Sequence, residues 1–381
     1  MILFVINTGH YGGAEKHLLY LARHLSAAGM PCTILCYGSD FYSERLGAES
    51  RVRVVRRDRA EARGFWSYVR TLRALRPDVV VFVNGWRDSF PLSIYLAARV
   101  SGARRVFNIE QLMAPPAPAP PPGRGPGHWL RRAAGWQARY MWAAWLEARL
   151  CHRTICVSEA TRERLIAEYG FPARKTVMIS NGVDLGHYGP SPGGAAAAGA
   201  NGGRASGPSV LLCVSRFEER KRIDVLLNAL ALLPRTGGWK CIIVGDGLLR
   251  DKWIAQSRDL DLSSVVEFAG FQEDVRPYFA AADILVAPSE QEGLPLTLAE
   301  AMAYSLPCVA TNIGGHNEIV VHGETGTLVT PGSAPALAAA VEDLLAHPDE
   351  RRRMGANGRK RVEECFSLDR LLERYEEVLR A

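Results

Sequence analysis

No stretch of about 18 apolar residues occurs in the chain, so a membrane-crossing helix is not expected. The start, Met1-Ile-Leu-Phe-Val-Ile-Asn7, lacks a basic leader segment and runs straight into Gly9, His10 and Gly12. That is the pattern of a first strand and its turn, not of a secretory signal. None of the eight cysteines (32, 36, 151, 156, 213, 241, 308 and 365) forms a Cys-x-x-Cys pair, and most lie in apolar runs such as Leu211-Leu-Cys-Val214. They are read as buried thiols of a reducing cytoplasm, with no metal site. Lysine is scarce, six residues against forty arginines. The one Asp-x-Asp, Asp259-Leu-Asp261, has no glycine loop beside it and is read as surface.

What is present fits a two-domain globular protein. The 381 residues are 48% apolar and 23% charged, and that length exceeds one ordinary core. Charge is uneven: residues 1–190 hold 26 Lys+Arg against 14 Asp+Glu, whereas residues 191–381 hold 20 against 26. A basic half suggests an anionic surface or acceptor. Nucleic acid is not expected, since no recognisable binding module accompanies it.

Strand and helix patterns alternate, which implies parallel sheets covered by helices. Ten strands are expected: Ile2–Ile6, Cys32–Cys36, Val79–Val83, Arg105–Asn108, Thr154–Val157, Val210–Val214, Lys240–Val244, Val266–Phe268, Ile284–Ala287 and Cys308–Ala310. Residues 189–208 are too poor in large apolar side chains to fold and are read as a flexible linker. The run Ala114–Pro122 reads as an extended polyproline loop. The expected division is thus 1–188, the linker 189–208, 209–365, and a last helix in 366–381.

The most informative stretch is Ser289-Glu-Gln-Glu-Gly-Leu-Pro-Leu-Thr-Leu-Ala-Glu-Ala-Met-Ala303. The spacing of Glu292 and Glu300 alone says little, because Glu342 and Glu350 repeat it in a charged C-terminal segment without glycine. Context separates the pairs. An apolar strand precedes Glu292, while Gly293 and Pro295 open a helix. The backbone N–H groups of Gly293, Leu294 and Leu296 can face a phosphate at the positive end of that helix. Glu300 then lies roughly 7 Å further along the axis, at about 1.5 Å per residue, where a carboxylate can hold ribose hydroxyls.

Glu292 to Glu300 resembles the E-x7-E signature of the GT-B fold glycosyltransferases of family four. The resemblance continues through Ser305-Leu-Pro-Cys-Val-Ala-Thr-Asn-Ile-Gly-Gly-His-Asn-Glu318 and Gly323-Glu-Thr-Gly-Thr-Leu-Val329, and covers nearly the whole chain. It implies an α/β fold of two doubly wound Rossmann-like domains facing across a cleft. The first would bind the acceptor and the second the nucleotide-sugar, with the last helix crossing back to the first domain. It also implies a retaining enzyme that needs no cofactor. Two other activities fit the same build, a UDP-sugar 2-epimerase and a nucleotide-sugar-binding protein without turnover.

Residue by residue, Arg216 and Lys221 match the family's diphosphate-binding cations, Glu292 would hold sugar hydroxyls and Glu300 the ribose. Gly12 and Gly13 match a glycine loop closing over the phosphates, while Gly245, and Gly270 with Phe271, match loops for base and ribose. Asn181-Gly-Val-Asp184 matches another element of the family. Two departures stand out. Arg222 occupies the place of a usual glycine after the lysine, and Phe107-Asn-Ile-Glu-Gln111 occupies the place where many members carry a histidine. Glu110, Asn108 or His10 could take that histidine's role.

The expected partners are a UDP-sugar and a saccharide or lipid-linked acceptor, in the cytoplasm or at the inner face of the cell membrane. Between His128 and Arg153, on one continuous helix, Arg131, Arg132, Arg139, Arg149 and Arg153 would share an arc of roughly 100°. Trp136 and Trp145 would then lie largely to the other side, which is an interfacial pattern.

Overall fold

The computed structural model describes residues 1–7, 13–37, 41–46, 51–58, 64–84, 91–110, 142, 145–189, 207–234 and 238–381. It divides the chain into two compact units, Met1–Ser180 with Leu372–Ala381, and Asn181–Leu371.

The first unit is built on seven strands: β1 (Ile2–Ile6), β2 (Cys32–Tyr37), β3 (Arg53–Arg57), β4 (Val79–Asn84), β5 (Arg105–Glu110), β6 (Arg153–Cys156) and β7 (Thr176–Met178). They form one parallel sheet in the order β3-β2-β1-β4-β5-β6-β7. Continuous apolar runs such as Val79-Val-Val-Phe-Val83 suit strands covered on both faces, and all five of those residues are buried. Helices Phe65–Leu75 and Leu92–Val100 close one face, where Leu3, Val5, Phe82, Ile94 and Tyr95 share a core.

The second unit carries β8 (Ser209–Val214), β9 (Trp239–Val244), β10 (Val266–Gly270), β11 (Ile284–Ala287), β12 (Cys308–Thr311) and β13 (Gly326–Val329). Their order, β10-β9-β8-β11-β12-β13, is again parallel. Each sheet reverses its winding once, between β1 and β4 and between β8 and β11. Ligands of open α/β sheets bind at the carboxyl ends of the strands flanking such a point.

The expected α/β doubly wound class is therefore observed in both units, and all ten expected strands are present. The boundary between them differs. Residues 181–188 were expected to close the first domain, but they pack in the second unit. The Val183 N–H donates to Phe366 O (2.8 Å) and Leu368 N–H donates to Val183 O (3.0 Å). A Cβ on Gly182 would lie 2.6 Å from Leu368 Cα, so only glycine permits this approach. The last helix, Leu368–Arg380, begins in the second unit and belongs to the first from Leu372 onward. It buries Leu368, Leu371, Leu372, Tyr375 and Leu379, one helical stripe. Tyr375 lies 4.9 Å from the His17 ring, centroid to centroid.

The basic arc is corrected in part. Residues 145–150 are helical, whereas Arg153 is the first residue of β6, so Arg149 and Arg153 do not share a helix. Arg131, Arg132, Trp136, Arg139, the polyproline run, Gly12, His10 and linker residues 190–206 lie outside the described residues. Seven cysteines are buried, while Cys365, at the end of helix Pro348–Cys365, is exposed. No described helix is long and apolar enough to cross a membrane.

Candidate functional site

In the second unit, the loops after β8 and β11 meet at the winding reversal. The main chain joins them first, since Glu290 N–H donates to Arg220 O at 2.8 Å. Side chains then converge on Glu292. Lys221 Nζ pairs with its Oε1, Arg220 Nη1 lies 3.1 Å from its Oε2, and Ser289 Oγ donates to Oε1 at 2.8 Å. Arg220 is tied in further by Gln291 O (3.1 Å) and Glu218 Oε2 (2.9 Å). Burial alone would push the Glu292 carboxyl up, but Lys221 and Arg220 overcome it and hold the group at about 2. Burial lowers the Lys221 ammonium from its ordinary value, with Glu292 opposing that shift.

Lys221 and Glu292, picked out separately in the sequence, are thus in direct contact. Arg216 is not part of that cluster. Its guanidinium bonds Glu218 Oε1 at 3.0 Å and is 45% exposed, which leaves it open to solvent and to an incoming anion. Arg220 takes the position beside Glu292, and the five consecutive charged side chains from Glu218 to Arg222 gave no sign of which one would turn inward. Arg222 adopts φ 50, ψ 42, the left-handed conformation that glycine adopts without strain. Its guanidinium bonds Asp224 and Glu290, each at 3.1 Å.

Helix Leu296–Ala303 starts with Pro295 at its N-cap, and the buried Glu300 is its fifth residue. Leu294 is buried beside it. The glycine loops complete the rim. A Cβ on Gly245 would sit 1.8 Å from Ser215 O, Phe217 N–H donates to Asp246 O (2.8 Å), and Gly245 N–H donates to Gly270 O (2.8 Å). The loops after β8, β9 and β10 are therefore one hydrogen-bonded surface, from which Phe271 projects with 60% of its area exposed. Two buried side chains were not picked out in the sequence, Thr311, which donates to Ser289 O in the loop after β11, and His316.

In the first unit, Gly13 opens helix Gly13–Ala27. Glu110 ends β5 and is buried in a polar network with Asn84, which ends β4 in register with it. Asn84 Nδ2 donates to Asn108 Oδ1 (2.7 Å) and Tyr95 Oη (3.0 Å). Asn108 Nδ2 donates to Glu110 Oε1 (2.7 Å) and Glu147 Oε1 (2.6 Å). One amide thus bridges two carboxylates, the second of which sequence reading did not find. Asp259 ends helix Arg250–Asp259 and Asp261 occupies the following turn. No three His, Cys, Asp or Glu side chains gather as a metal set among the described residues.

Known proteins share this organisation. The profile of glycosyl transferases group 1 matches residues 199–361, and that of glycosyltransferase family 4 matches residues 11–187. The lipopolysaccharide core biosynthesis glycosyltransferase LpsE of Rhizobium meliloti (strain 1021) is 34% identical over 170 residues, 45% of this chain and 49% of that protein. The D-inositol 3-phosphate glycosyltransferase of Kineococcus radiotolerans is 33% identical over 231 residues, 55% of this chain and 53% of that protein. This chain spans about half the length of the curated relatives it matches. Among solved structures, Anabaena HepE in complex with UDP and glucose superposes with a TM-score of 0.77 at 22% identity, covering 99% of this chain and 98% of that one. A glycosyltransferase from Rickettsia africae gives a TM-score of 0.78 at 20% identity, covering 99% and 97%. At these identities the likeness establishes the fold, two Rossmann-like units of the GT-B type.

Proposed function

Because this chain belongs to the group 1, family 4 glycosyltransferases, we propose that it moves a glycosyl group from a nucleotide-sugar, a UDP-sugar in our reading, to a hydroxyl acceptor with retention. The observation that carries this reading is the contact of Lys221 and Arg220 with Glu292 at the β8/β11 reversal. There a carboxylate able to accept sugar hydroxyls stands beside cations able to take a diphosphate.

Cleaving the glycosyl–phosphate bond leaves negative charge on the departing diphosphate. Lys221 and Arg216, with the start of helix Leu296–Ala303, offset that charge, while Gly293, Leu294, Pro295 and Leu296 shape the phosphate loop. Glu300 takes the ribose hydroxyls. Gly245, Gly270 and Phe271 border the base. The acceptor oxygen forms its bond to the anomeric carbon on the face from which the diphosphate leaves, and a departing phosphate oxygen receives the acceptor's proton. No covalent nucleophile and no metal are needed. In the first unit Glu110 serves the acceptor.

The acceptor class we propose is a saccharide or lipid-linked sugar of cell-surface polysaccharide or glycolipid synthesis, met at the inner face of the membrane. The names of the relatives support it, as do two exposed tryptophans, Trp142 and Trp145, stacked at 6.2 Å, with the Arg149 guanidinium 3.8 Å from the Trp145 ring centroid. The testing experiment incubates the chain with UDP-glucose, UDP-galactose and GDP-mannose, with and without acceptor glycans and with EDTA. Proton NMR then reads the anomeric products. Retained configuration that survives EDTA supports the reading. Conversion of the free donor to its 2-epimer without acceptor, or activity abolished by EDTA and restored by Mg²⁺, contradicts it.

A further inference from the structure

His316 opens a short helix after β12, is fully buried, and belongs to none of the roles assigned above. Its Nδ1 lies 3.0 Å from Thr311 O and 3.1 Å from Thr311 Oγ1. Thr311 has one hydroxyl proton, and it is committed to Ser289 O at 2.5 Å. A carbonyl oxygen only accepts. The histidine must therefore donate, so its proton is on Nδ1 and is shared between the two threonine oxygens. Nε2 is left as a bare lone pair and has no hydrogen-bond partner among the described residues.

From Thr311 the chain of contacts continues to the site. Ser289, held at its carbonyl by Thr311, donates its hydroxyl to Glu292 Oε1 at 2.8 Å. The backbone runs the same way. Gly315 has φ 87, and a Cβ there would lie 2.2 Å from Gly293 O, so the turn carrying His316 rests directly on the Glu292–Gly293 segment. Packing alone does not call for an imidazole at this place, since an unpaired buried ring nitrogen carries a desolvation cost that a phenyl ring would avoid.

We propose that His316 is a positioning residue, which through Thr311 and Ser289 fixes the Glu292 carboxylate where the transferred sugar is held. The inference rests on Glu292 facing that sugar. Burial depresses the imidazole to about 4 although Glu292 pulls the other way, so the ring stays neutral and keeps its donor throughout the working pH range. Other charged groups acting on it are Glu292 and Lys221.

Three substitutions separate Nδ1 from Nε2. Asparagine places an amide near Nδ1, glutamine near Nε2, and phenylalanine supplies neither. On the donor that the wild-type chain turns over, tested with UDP-glucose, UDP-galactose and GDP-mannose, His316→Phe and His316→Gln should lower kcat roughly 10- to 100-fold, with the donor KM within about twofold. His316→Asn should stay within about fivefold of wild type, and nitrogen NMR of the native protein should show Nδ1 protonated and Nε2 bare. In a Glu292→Gln background, His316→Phe should cost nothing further. Recovery by glutamine and not asparagine, a protonated Nε2, or an equal loss in both backgrounds overturns the proposal. If His316→Phe fails to fold, Thr311→Val against Thr311→Ser asks the same question, and a loss shared by both contradicts the relay. Full activity of Glu292→Ala would instead overturn the reading of Glu292 itself.

Discussion

Gly315 and Gly293 meet main chain to main chain, so closely that a single methyl on the first would lie 2.2 Å from the carbonyl oxygen of the second. This contact props the loop after β11 on the loop after β12. The backbone of Gly315, at φ 87, also disfavours any residue with a Cβ. Gly315→Ala is therefore expected to lose on the order of 3 kcal/mol, combining backbone strain with overpacking. Turnover should fall with it because Glu292 moves. Urea unfolding beside activity checks this, and a variant as stable and active as wild type would show that the loops are not braced here.

Glu300→Ala, Lys221→Ala and Arg216→Ala are each expected to lower turnover by on the order of 100-fold while leaving the fold intact, as for other lost electrostatic contacts. Arg220→Ala should join them, since it removes one of the two cations on Glu292. The control is Glu350→Ala, from the other glutamate pair with the same spacing. Glu350, in helix Pro348–Cys365, accepts from Arg353 Nε at 2.8 Å, and its loss should leave turnover unchanged. Steady-state kinetics on the cognate donor decides, and equal losses from Glu350 and Glu300 would contradict the site.

What could be read from the sequence and what could not divides along physical lines. Most of the ten strands found carry apolar runs, such as Val79–Val83 and Val210–Val214, while β10, an edge strand, was found despite Glu267. The three missed, β3, β7 and β13, are all sheet edges. Edge strands need less apolar surface and carry charge, as Arg53-Val-Val-Arg-Arg57 does. Glu292, Glu300 and Lys221 were legible because glycine, proline and a preceding strand fix their local setting. Ser289, Thr311 and His316 act on one another across 5 to 22 residues, and no local pattern announces such a contact. Glu147 reaches Asn108 across 39 residues in the same way.

Arg222 offers a test of backbone strain. Its left-handed conformation costs a residue with a Cβ roughly 1–2 kcal/mol, which its partners Asp224 and Glu290 offset only in part because they are partly exposed. Arg222→Gly should fall within about 1 kcal/mol of wild type, relief of strain opposing lost ion pairs and a freer unfolded chain. Arg222→Val should lose on the order of 2 kcal/mol or more, because a β-branched side chain tolerates this region poorly. Denaturant midpoints measure both, and a valine variant as stable as the glycine one would refute the assignment of strain.

Stability should decline steadily in acid. Burial depresses His17 and His316 to about 4 from 6.5, so the unfolded chain binds more protons than the folded one between those values. Their contribution is therefore complete above pH 6.5 and is lost as pH falls towards 4, by about 3 kcal/mol each. Glu292, held at about 2 against 4.5, loses its contribution between pH 4.5 and 2. Both His17 ring nitrogens are buried without a hydrogen-bond partner among the described residues, so His17→Phe should flatten the decline between pH 6.5 and 4 and raise stability near pH 6. Unfolding free energies measured from pH 7 to 4 test this, and an unchanged slope in the variant would contradict it.

The central claim is that a nucleotide-sugar sits on the loops after β8 and β11, held by Lys221 and Glu300. Its most direct test is thermal unfolding of wild-type, Lys221→Ala and Glu300→Ala chains with a panel of UDP-, GDP- and ADP-sugars. A ligand that binds only the folded state stabilises it by about 2.7 kcal/mol at a hundredfold excess over Kd. One nucleotide family, that of UDP, should raise the wild-type Tm, and the same concentration should leave both variants nearly unshifted. No shift with any nucleotide-sugar, or an equal shift in all three chains, would contradict the account.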